Sequence, residues 1–182
     1  MTKRLFIALE FPSEILDAII EKRNRIVNTN IYRWEPKEKL HLTLKFLGDV
    51  ESDKINEIES VIEQVIKDNK LSKIELTKFG FFFRNNLPAI LWIGIKENNS
   101  LSSFVSILED KLNKIGFEKE KRKFNPHLTL LRIKNNFPQE LIDQFKKGDL
   151  NELVFIPFQI KLYESFLKKS GSVYAELKSF NI

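Results

Sequence analysis

The sequence HLTLKFLG occupies residues 41–48, and a close copy, HLTLLRIK, occupies residues 127–134. The chain of 182 residues has two histidines, His41 and His127, and they lie 127 − 41 = 86 residues apart. A tetrapeptide that repeats at this distance and contains both histidines indicates an internal duplication. The two copies are therefore the first place to look for both the fold and the function.

Each copy has the alternating pattern of a half-buried β-strand, in which successive side chains point to opposite faces. This alternation predicts that His41, Thr43 and Lys45 share one face and that the leucines between them share the other. In the second copy it places His127 and Thr129 together. Each strand is thus predicted to present a polar pair on one face and apolar anchors on the other.

The rest of the chain repeats the same order of elements. Segments with helical periodicity begin at Ser13, Ser52, Leu101 and Pro138. Segments rich in aromatic and β-branched residues, typical of strands, lie around them: RLFIALEF, HLTLKFL, KIELTKFGFFF, AILWIGI, HLTLLRI, LVFIPFQIKLYESFL and SVYAELKSF. The order is helix, HLTL strand, helix, strand, strand, and then the same again. We expect an α+β fold with two antiparallel sheets, each backed by two helices, within a single domain of two lobes spanning residues 1–182.

Composition narrows the range of possible functions. The chain has no cysteine, which excludes disulfides, a thiolate nucleophile and cysteine-ligated metals. Its 30 basic and 25 acidic residues give a net charge of +5, which favours anionic partners mildly. No apolar run reaches membrane-spanning length, and the first residues lack the features of a secretion signal. We expect a cytoplasmic monomer with no membrane partner.

The paired motif has a definite chemical capacity. A histidine beside a threonine can transfer a proton while the hydroxyl holds a substrate oxygen. Two such pairs that face each other across a groove supply both a general acid and a general base, because one imidazole can be protonated while the other is neutral near pH 7. This arrangement suits displacement at phosphorus, with one oxygen attacking and another leaving, and it needs no covalent intermediate.

Two other interpretations of the motif differ in chemistry. A histidine on a strand is often only structural, and a repeat can be inherited from a duplicated scaffold. A zinc site takes three or four protein ligands, whereas the motifs offer no cysteine, no third histidine and no carboxylate. We therefore expect no metal and no cofactor. A catalytic role is favoured over these two interpretations, because both histidines lie on the polar face of otherwise apolar strands.

The sequences around the motifs carry a family resemblance. RLFIALEFP, RWEPKEKLHLTLKFLGDV, FNPHLTLLR and LYESFLKKSGSVYAEL together resemble the 2H phosphoesterase superfamily, in the branch of RNA 2′,3′-cyclic phosphodiesterases that are also called 2′-5′ RNA ligases. The resemblance covers nearly the whole chain. It implies a bilobal fold with pseudo-twofold symmetry and a central cleft lined by the two HxTx strands.

The resemblance also implies an activity and a role for each residue. The implied partner is an RNA or oligonucleotide end that carries a 2′,3′-cyclic phosphate, which the enzyme, a hydrolase of phosphoric diesters, opens to a 2′-phosphate. Some members also join 2′-5′ linkages. By this analogy His41 is the proton donor, His127 is the proton acceptor, and Thr43 and Thr129 bind the phosphate oxygens.

The identical motifs leave the two histidine roles unassigned on sequence grounds alone. Two alternative functions use the same four residues. One is a phosphodiesterase for 2′-5′ oligonucleotides or small cyclic nucleotides, and the other is a module that binds RNA ends without turnover.

Two basic residues near the motifs are further candidates for substrate binding. Strand alternation places Lys45 on the histidine face, although a solvated lysine at a strand edge has the same pattern. Arg132 matches a position of the family, but ideal alternation puts it on the face away from His127. Its contact with substrate therefore requires a β-bulge or a twist at the end of the strand.

Overall fold

The structure is a computed structural model that describes residues 1–27, 31–134, 136–150, 152–169 and 171–182. Within these ranges the α-helices are α1 (Ser13–Ile26), α2 (Ile55–Asp68), α3 (Asn99–Lys114) and α4 (Gln139–Lys147), and short 3₁₀ helices span Lys37–Lys39 and Ser52–Lys54. The strands are β1 (Thr2–Glu10), β2 (His41–Glu51), β3 (Ile74–Arg84), β4 (Leu87–Ile95), β5 (His127–Arg132), β6 (Val154–Phe155), β7 (Gln159–Lys168) and β8 (Gly171–Asn181).

The strands form one antiparallel sheet in the order β6-β3-β4-β5-β2-β1-β7-β8. This corrects the expectation of two separate sheets. The two HLTL strands, β2 and β5, lie at the centre and pair directly, with Leu42 opposite Leu128. Unpaired strand edges expose backbone hydrogen-bonding groups, and this pairing satisfies some of them at the junction. The result is an α+β fold in which the two halves are parts of one sheet.

The predicted order of elements is present, with β1 before the first unit and the two-residue β6 inside the second. Ser13 and Asn99, which begin the first helix of each unit, are 99 − 13 = 86 residues apart, as the two histidines are. However, β1 pairs with both β2 and β7, and β4 pairs with both β3 and β5. Each half of the sheet therefore combines strands from both units.

The two faces of the sheet are buried differently. On β1, Ile7 and Leu9 belong to the main core, which also contains helix residues such as Ile19 and Ile62. Phe6 and Ala8 point the other way, into a small cluster with Tyr163 and Tyr174. The helices thus cover one face, α4 packing on β3 and α2 on β8. The opposite face is left to build a site.

The helices are short compared with the thickness of a bilayer. The longest helix in the described ranges is α3, with 16 residues, whereas a spanning helix needs about 20 apolar ones. None of the helices in these ranges has the length and apolarity to cross a membrane.

Candidate active site

The site begins at the single pair that joins β2 to β5. Because these strands are antiparallel and Leu42 lies opposite Leu128, the histidine of each motif lies opposite the threonine of the other. Both leucines are buried, with exposures of 1% and 0%, so the polar residues beside them point to the face without helices. His41 and His127 are diagonal neighbours, a relation that in regular antiparallel pairs typically separates the two residues by about 7–8 Å.

A cavity of about 510 Å³ lies over this junction. Its lining includes five of the six predicted site residues, namely His41, Thr43, His127, Thr129 and Arg132. Within the described ranges neither threonine hydroxyl has a hydrogen-bond partner in the protein, so both are available to a bound molecule. Other polar and aromatic residues complete the wall, among them Phe6, Glu35, Lys39, Phe46, Ser165 and Tyr174.

Lys45 lies away from this cavity, which corrects the prediction made from alternation. Thr43 and Lys45 pair with adjacent residues of β1, so Leu44 is left without a partner in a register shift typical of a β-bulge. A bulged residue reverses the alternation of the strand beyond it. Phe46 consequently takes the place on the cavity wall, while Lys45 turns to the helix side of the sheet.

Lys45 is instead part of a buried ion pair. It is 7% exposed, and its Nζ lies 2.7 Å from Glu109 Oε2 on α3 and donates to the backbone oxygen of Glu118 at 2.6 Å. The residue that lies 131 − 45 = 86 positions later is Leu131, which is 1% exposed. Lys45 therefore occupies a position equivalent to that of a core leucine, and the carboxylate of Glu109 on α3 compensates its charge.

Arg132 reaches the cavity through the equivalent deviation in β5. Leu131 and Thr129 pair with adjacent residues of β4, which leaves Leu130 unpaired. This register shift is the bulge that the sequence argument required for Arg132. The Arg132 side chain is 58% exposed and its Nε lies 3.5 Å from Glu35 Oε1, so it remains accessible from the cavity.

His41 is enclosed by aromatic rings. The ring centroids of Phe6, Tyr174 and Tyr163 lie 5.1, 5.5 and 5.8 Å from that of the imidazole. The side chain keeps part of its surface open to the cavity, but it is densely surrounded by protein. Burial, with a smaller effect from the charge of Arg132, lowers the pKa of His41 from 6.5 to about 4. In the unliganded protein His41 is therefore neutral at pH 7.

Tyr163 is fixed in turn by a carboxylate on the neighbouring strand. Its hydroxyl donates to Glu10 Oε1 at 2.9 Å. Burial raises the pKa of Glu10, while the bond from Tyr163 and the charge of Lys161 oppose this effect. The hydrogen bond holds the Tyr163 ring nearly parallel to His41, at an interplanar angle of 28°.

His127 is held by a hydrogen bond to the backbone and is flanked by two aromatic rings. Its Nδ1 lies 2.8 Å from the backbone oxygen of Asn125. Because a carbonyl can only accept, Nδ1 carries the proton, and in the neutral ring Nε2 has the free lone pair. Phe82 contacts the ring edge-on at 5.0 Å, and Trp92 lies at 6.4 Å.

Trp92 itself lies across Gly80. A Cβ at that glycine would stand 2.4 Å from the indole, so the wall beside His127 requires glycine there.

No group of three or more histidine, cysteine, aspartate or glutamate side chains in the described part of the chain is arranged to hold a metal ion.

Several residues that line the cavity are not among the six predicted site residues. Lys39 donates to the backbone oxygen of Ser172 at 2.7 Å and lies 5.9 Å from the ring centroid of Tyr174. Lys39 and these partners are more than 130 residues apart, and no local sequence pattern predicts a contact over that distance. Strand alternation could have predicted the position of Phe6. Its neighbours Leu5 and Ile7 belong to the main core, so Phe6 points to the opposite face of the sheet.

Comparisons with known proteins place the chain in a family. The model of the LigT-like phosphoesterase family matches residues 9–92 and again residues 93–174, so this chain belongs to that family and carries its repeat twice. An RNA 2′,3′-cyclic phosphodiesterase of Methanocaldococcus jannaschii is 34% identical over 97% of this chain and 99% of that protein.

Further relatives agree with this placement. A protein of the same name from Archaeoglobus fulgidus is 28% identical, over 97% of this chain and 99% of its own length. The crystal structure of the protein TT0787 of Thermus thermophilus shares the fold, with a TM-score of 0.84, 22% identity and coverage of 98% and 97% of the two chains.

The ion pair of Lys45 leads to a first prediction. Replacing Lys45 by Met leaves Glu109 buried without its cation, and we expect the free energy of unfolding to fall by about 3 kcal/mol. The variant Lys45→Met/Glu109→Gln removes both charges and should recover most of this loss. Urea unfolding measures both values. Phosphodiesterase turnover per folded molecule should stay near that of the wild type. A large loss of turnover at unchanged stability would show instead that Lys45 contacts the substrate.

The burial of His41 leads to a second prediction. Its pKa is lower in the folded protein than in the unfolded chain, so the unfolded chain binds more protons below pH 6.5. The stabilising contribution is complete above pH 6.5 and is lost as the pH falls towards 4. The full loss is about 3.5 kcal/mol, because the pKa values differ by 6.5 − 4 = 2.5 and each unit corresponds to about 1.4 kcal/mol.

Urea unfolding between pH 7 and pH 4 tests this dependence. The His41→Gln variant should lose less stability than the wild type over that range, with His127→Gln as the matched control. Parallel curves for the wild type and His41→Gln would contradict it.

Proposed function

We propose that this protein is an RNA 2′,3′-cyclic phosphodiesterase that opens a terminal cyclic phosphate to a 2′-phosphate by acid/base catalysis. The observation that carries the proposal is the grouping of both histidines and both threonines of the repeated motif around one cavity, in a chain related to enzymes of that name. In this proposal residues 1–182 act as one domain of two lobes, monomeric and cytoplasmic, around a central cleft lined by the HxTx strands.

The bound phosphate lies between the two histidines in this mechanism. The hydroxyls of Thr43 and Thr129, which lack protein partners in the described ranges, donate to its non-bridging oxygens. Arg132 adds a cation on the same wall, and hydrogen bonds from a cation to a phosphate are among the strong ones. In this mechanism one imidazole lies on each side of the phosphorus, which the diagonal relation of the two histidines across the Leu42–Leu128 pair supports. That geometry suits an attacking oxygen on one side and a leaving oxygen on the other.

His127 is the proton acceptor and His41 is the proton donor. The bond from Nδ1 to Asn125 leaves Nε2 of His127 to accept a proton from the attacking water. His41 then donates a proton to the leaving 3′ oxygen. Because it is neutral in the unliganded protein, His41 must first gain that proton, and the adjacent phosphate anion favours this by raising its pKa. A 5′-hydroxyl in place of water would yield a 2′-5′ linkage at the same site.

No metal or cofactor takes part in this proposal, because the protein groups account for each proton transfer and for the charge of the phosphate.

Turnover of defined substrates tests the proposal. The protein is incubated in EDTA with 2′,3′-cyclic mononucleotides and with short oligonucleotides that end in a cyclic phosphate. We expect a 2′-phosphate product, and kcat should fall about 10² to 10⁴-fold in His41→Ala or His127→Ala. The double variant should lose less than the product of the single losses. Thr43→Val and Thr129→Val should each cost about 0.5–3 kcal/mol of transition-state stabilisation, with Thr77→Val, outside the cavity, as control.

Two outcomes of this assay would overturn the proposal. Loss of activity in EDTA that one divalent ion restores would require a metal mechanism. Tight binding of cyclic ends without any turnover would make the protein a binding module.

Proton uptake on binding tests the assignment of His41. The His127→Gln variant is titrated with a 2′,3′-cyclic nucleotide at pH 6, by calorimetry in two buffers of different ionisation enthalpy. We expect net uptake of protons, because the bound phosphate raises the pKa of His41 from its low resting value. The His41→Gln/His127→Gln variant should show none. Equal binding enthalpies in the two buffers for His127→Gln would favour the reverse assignment, with His41 as the base.

A further inference from the structure

A second cavity, of about 560 Å³, adjoins the candidate active site. The two cavities have Lys39, Arg132, Ser172, Tyr174 and Glu35 in common, so one opens into the other. The second cavity extends away from the histidines along the segment before β2 and past the end of β5. Its further lining includes Tyr32, Arg33, Trp34 and Lys134.

The second cavity has an excess of positive charge. Among the described residues its lining carries four cations and one carboxylate, that of Glu35, a net charge of +3. Arg132 is paired with that carboxylate at 3.5 Å. Arg33 and Lys134 are exposed, and in the described ranges of the chain they form no ion pair and no side-chain hydrogen bond. Two unpaired cations beside a phosphate site are suited to a second phosphate.

A third cavity, of about 690 Å³, lies on the other side of the active site and lacks this excess. Four cations and three carboxylates line it, so its net charge is +1. Two of these cations are neutralised locally, because Lys45 pairs with Glu109 and Lys119 pairs with Asp110. Charge therefore distinguishes the two neighbours of the active site.

The proposed reaction also indicates that the rest of the RNA chain lies on the side of the second cavity. The sugar of the substrate carries the leaving oxygen, so the body of the nucleotide lies on the side of the proton donor, His41. Tyr174 borders the second cavity, and its ring lies 5.5 Å from that of His41. The third cavity is lined by His127 and not by His41. A chain that continues from the terminal nucleotide therefore meets the second cavity.

We infer that the second cavity binds the phosphodiester on the 5′ side of the terminal nucleotide, through Arg33 and Lys134. The substrate class is then an oligonucleotide with a cyclic end, in preference to a free cyclic mononucleotide. This inference rests on the proposed function. Trp34 has the guanidinium of Arg23 at 4.7 Å from its ring centroid and packs against the main core, so the inference rests on the cations and not on base stacking.

The experiment compares two substrates in three proteins. The substrates are a 2′,3′-cyclic mononucleotide and a trinucleotide ending in the same cyclic nucleotide. The proteins are the wild type, Arg33→Ala/Lys134→Ala, and the matched control Arg122→Ala/Lys123→Ala, which alters the third cavity. In Arg33→Ala/Lys134→Ala we expect kcat/KM for the trinucleotide to fall roughly tenfold, the loss of a charged hydrogen bond at an exposed site. The value for the mononucleotide should stay unchanged, which also shows that the variant is folded.

Salt dependence provides a second readout. The slope of log kcat/KM against log salt for the trinucleotide should become less steep by about 0.7 for each phosphate contact removed. The charge-conserving variant Arg33→Lys/Lys134→Arg should keep most of the wild-type preference.

Three results would overturn the inference. An equal loss for both substrates would make the cavity part of the terminal nucleotide's own site. A loss of the trinucleotide preference in Arg122→Ala/Lys123→Ala would move the RNA to the third cavity. Equal kcat/KM for both substrates in the wild type would show that no second phosphate is bound, while the proposed function would stand.

Absence of turnover on both substrates would contradict the proposed function alone. In that case fluorescence anisotropy with the labelled trinucleotide tests the inference. Weaker binding in Arg33→Ala/Lys134→Ala would support it, and unchanged affinity would overturn it.

Discussion

The pairing of Leu42 with Leu128 is the constraint on which the rest of the structure depends. This pair joins the two halves of the sheet at their central edges and buries both leucines against the helices. It also fixes the histidines as diagonal neighbours on the opposite face, since alternation leaves them no other direction. Register pairing between β2 and β5 is confined to that position. The strands part on either side of it, which leaves room for a cavity over the junction.

The two register shifts next to this pair turn a symmetric backbone into a chemically asymmetric site. Leu44 and Leu130 are unpaired at equivalent places, and each shift sends the second residue after it towards the cavity. In the first copy that residue is Phe46, and in the second it is Arg132. The two copies of the motif therefore have equivalent backbones but give the cavity an apolar wall on one side and a cation on the other, because one copy has Phe46 where the other has Arg132.

The sequence predicted features that depend on residues close together in the chain, and it failed for features that depend on contacts between distant strands. Alternation within HLTL predicted where the histidines and threonines point, because that signal is local and both leucines are strongly apolar. The same alternation was wrong for Lys45, because a bulge depends on how the neighbouring strand pairs. Two sheets were expected where one exists, since nothing local to a strand specifies which edge it meets. The contact of Lys39 with Ser172 is likewise a product of topology.

Topology also explains why identical motifs have unlike environments. His41 is enclosed partly by Tyr174 of β8, an eleven-residue strand. In the described part of the chain, the strand at the corresponding edge of the other half, β6, has two residues, which pair with Ile74 and Glu75, so it offers no comparable cover to His127. In the proposed mechanism this difference separates the two roles. Burial lowers the pKa of His41, which makes its ring a stronger acid once it is protonated. The hydrogen bond of His127 Nδ1 to the backbone oxygen of Asn125 leaves Nε2 to accept a proton.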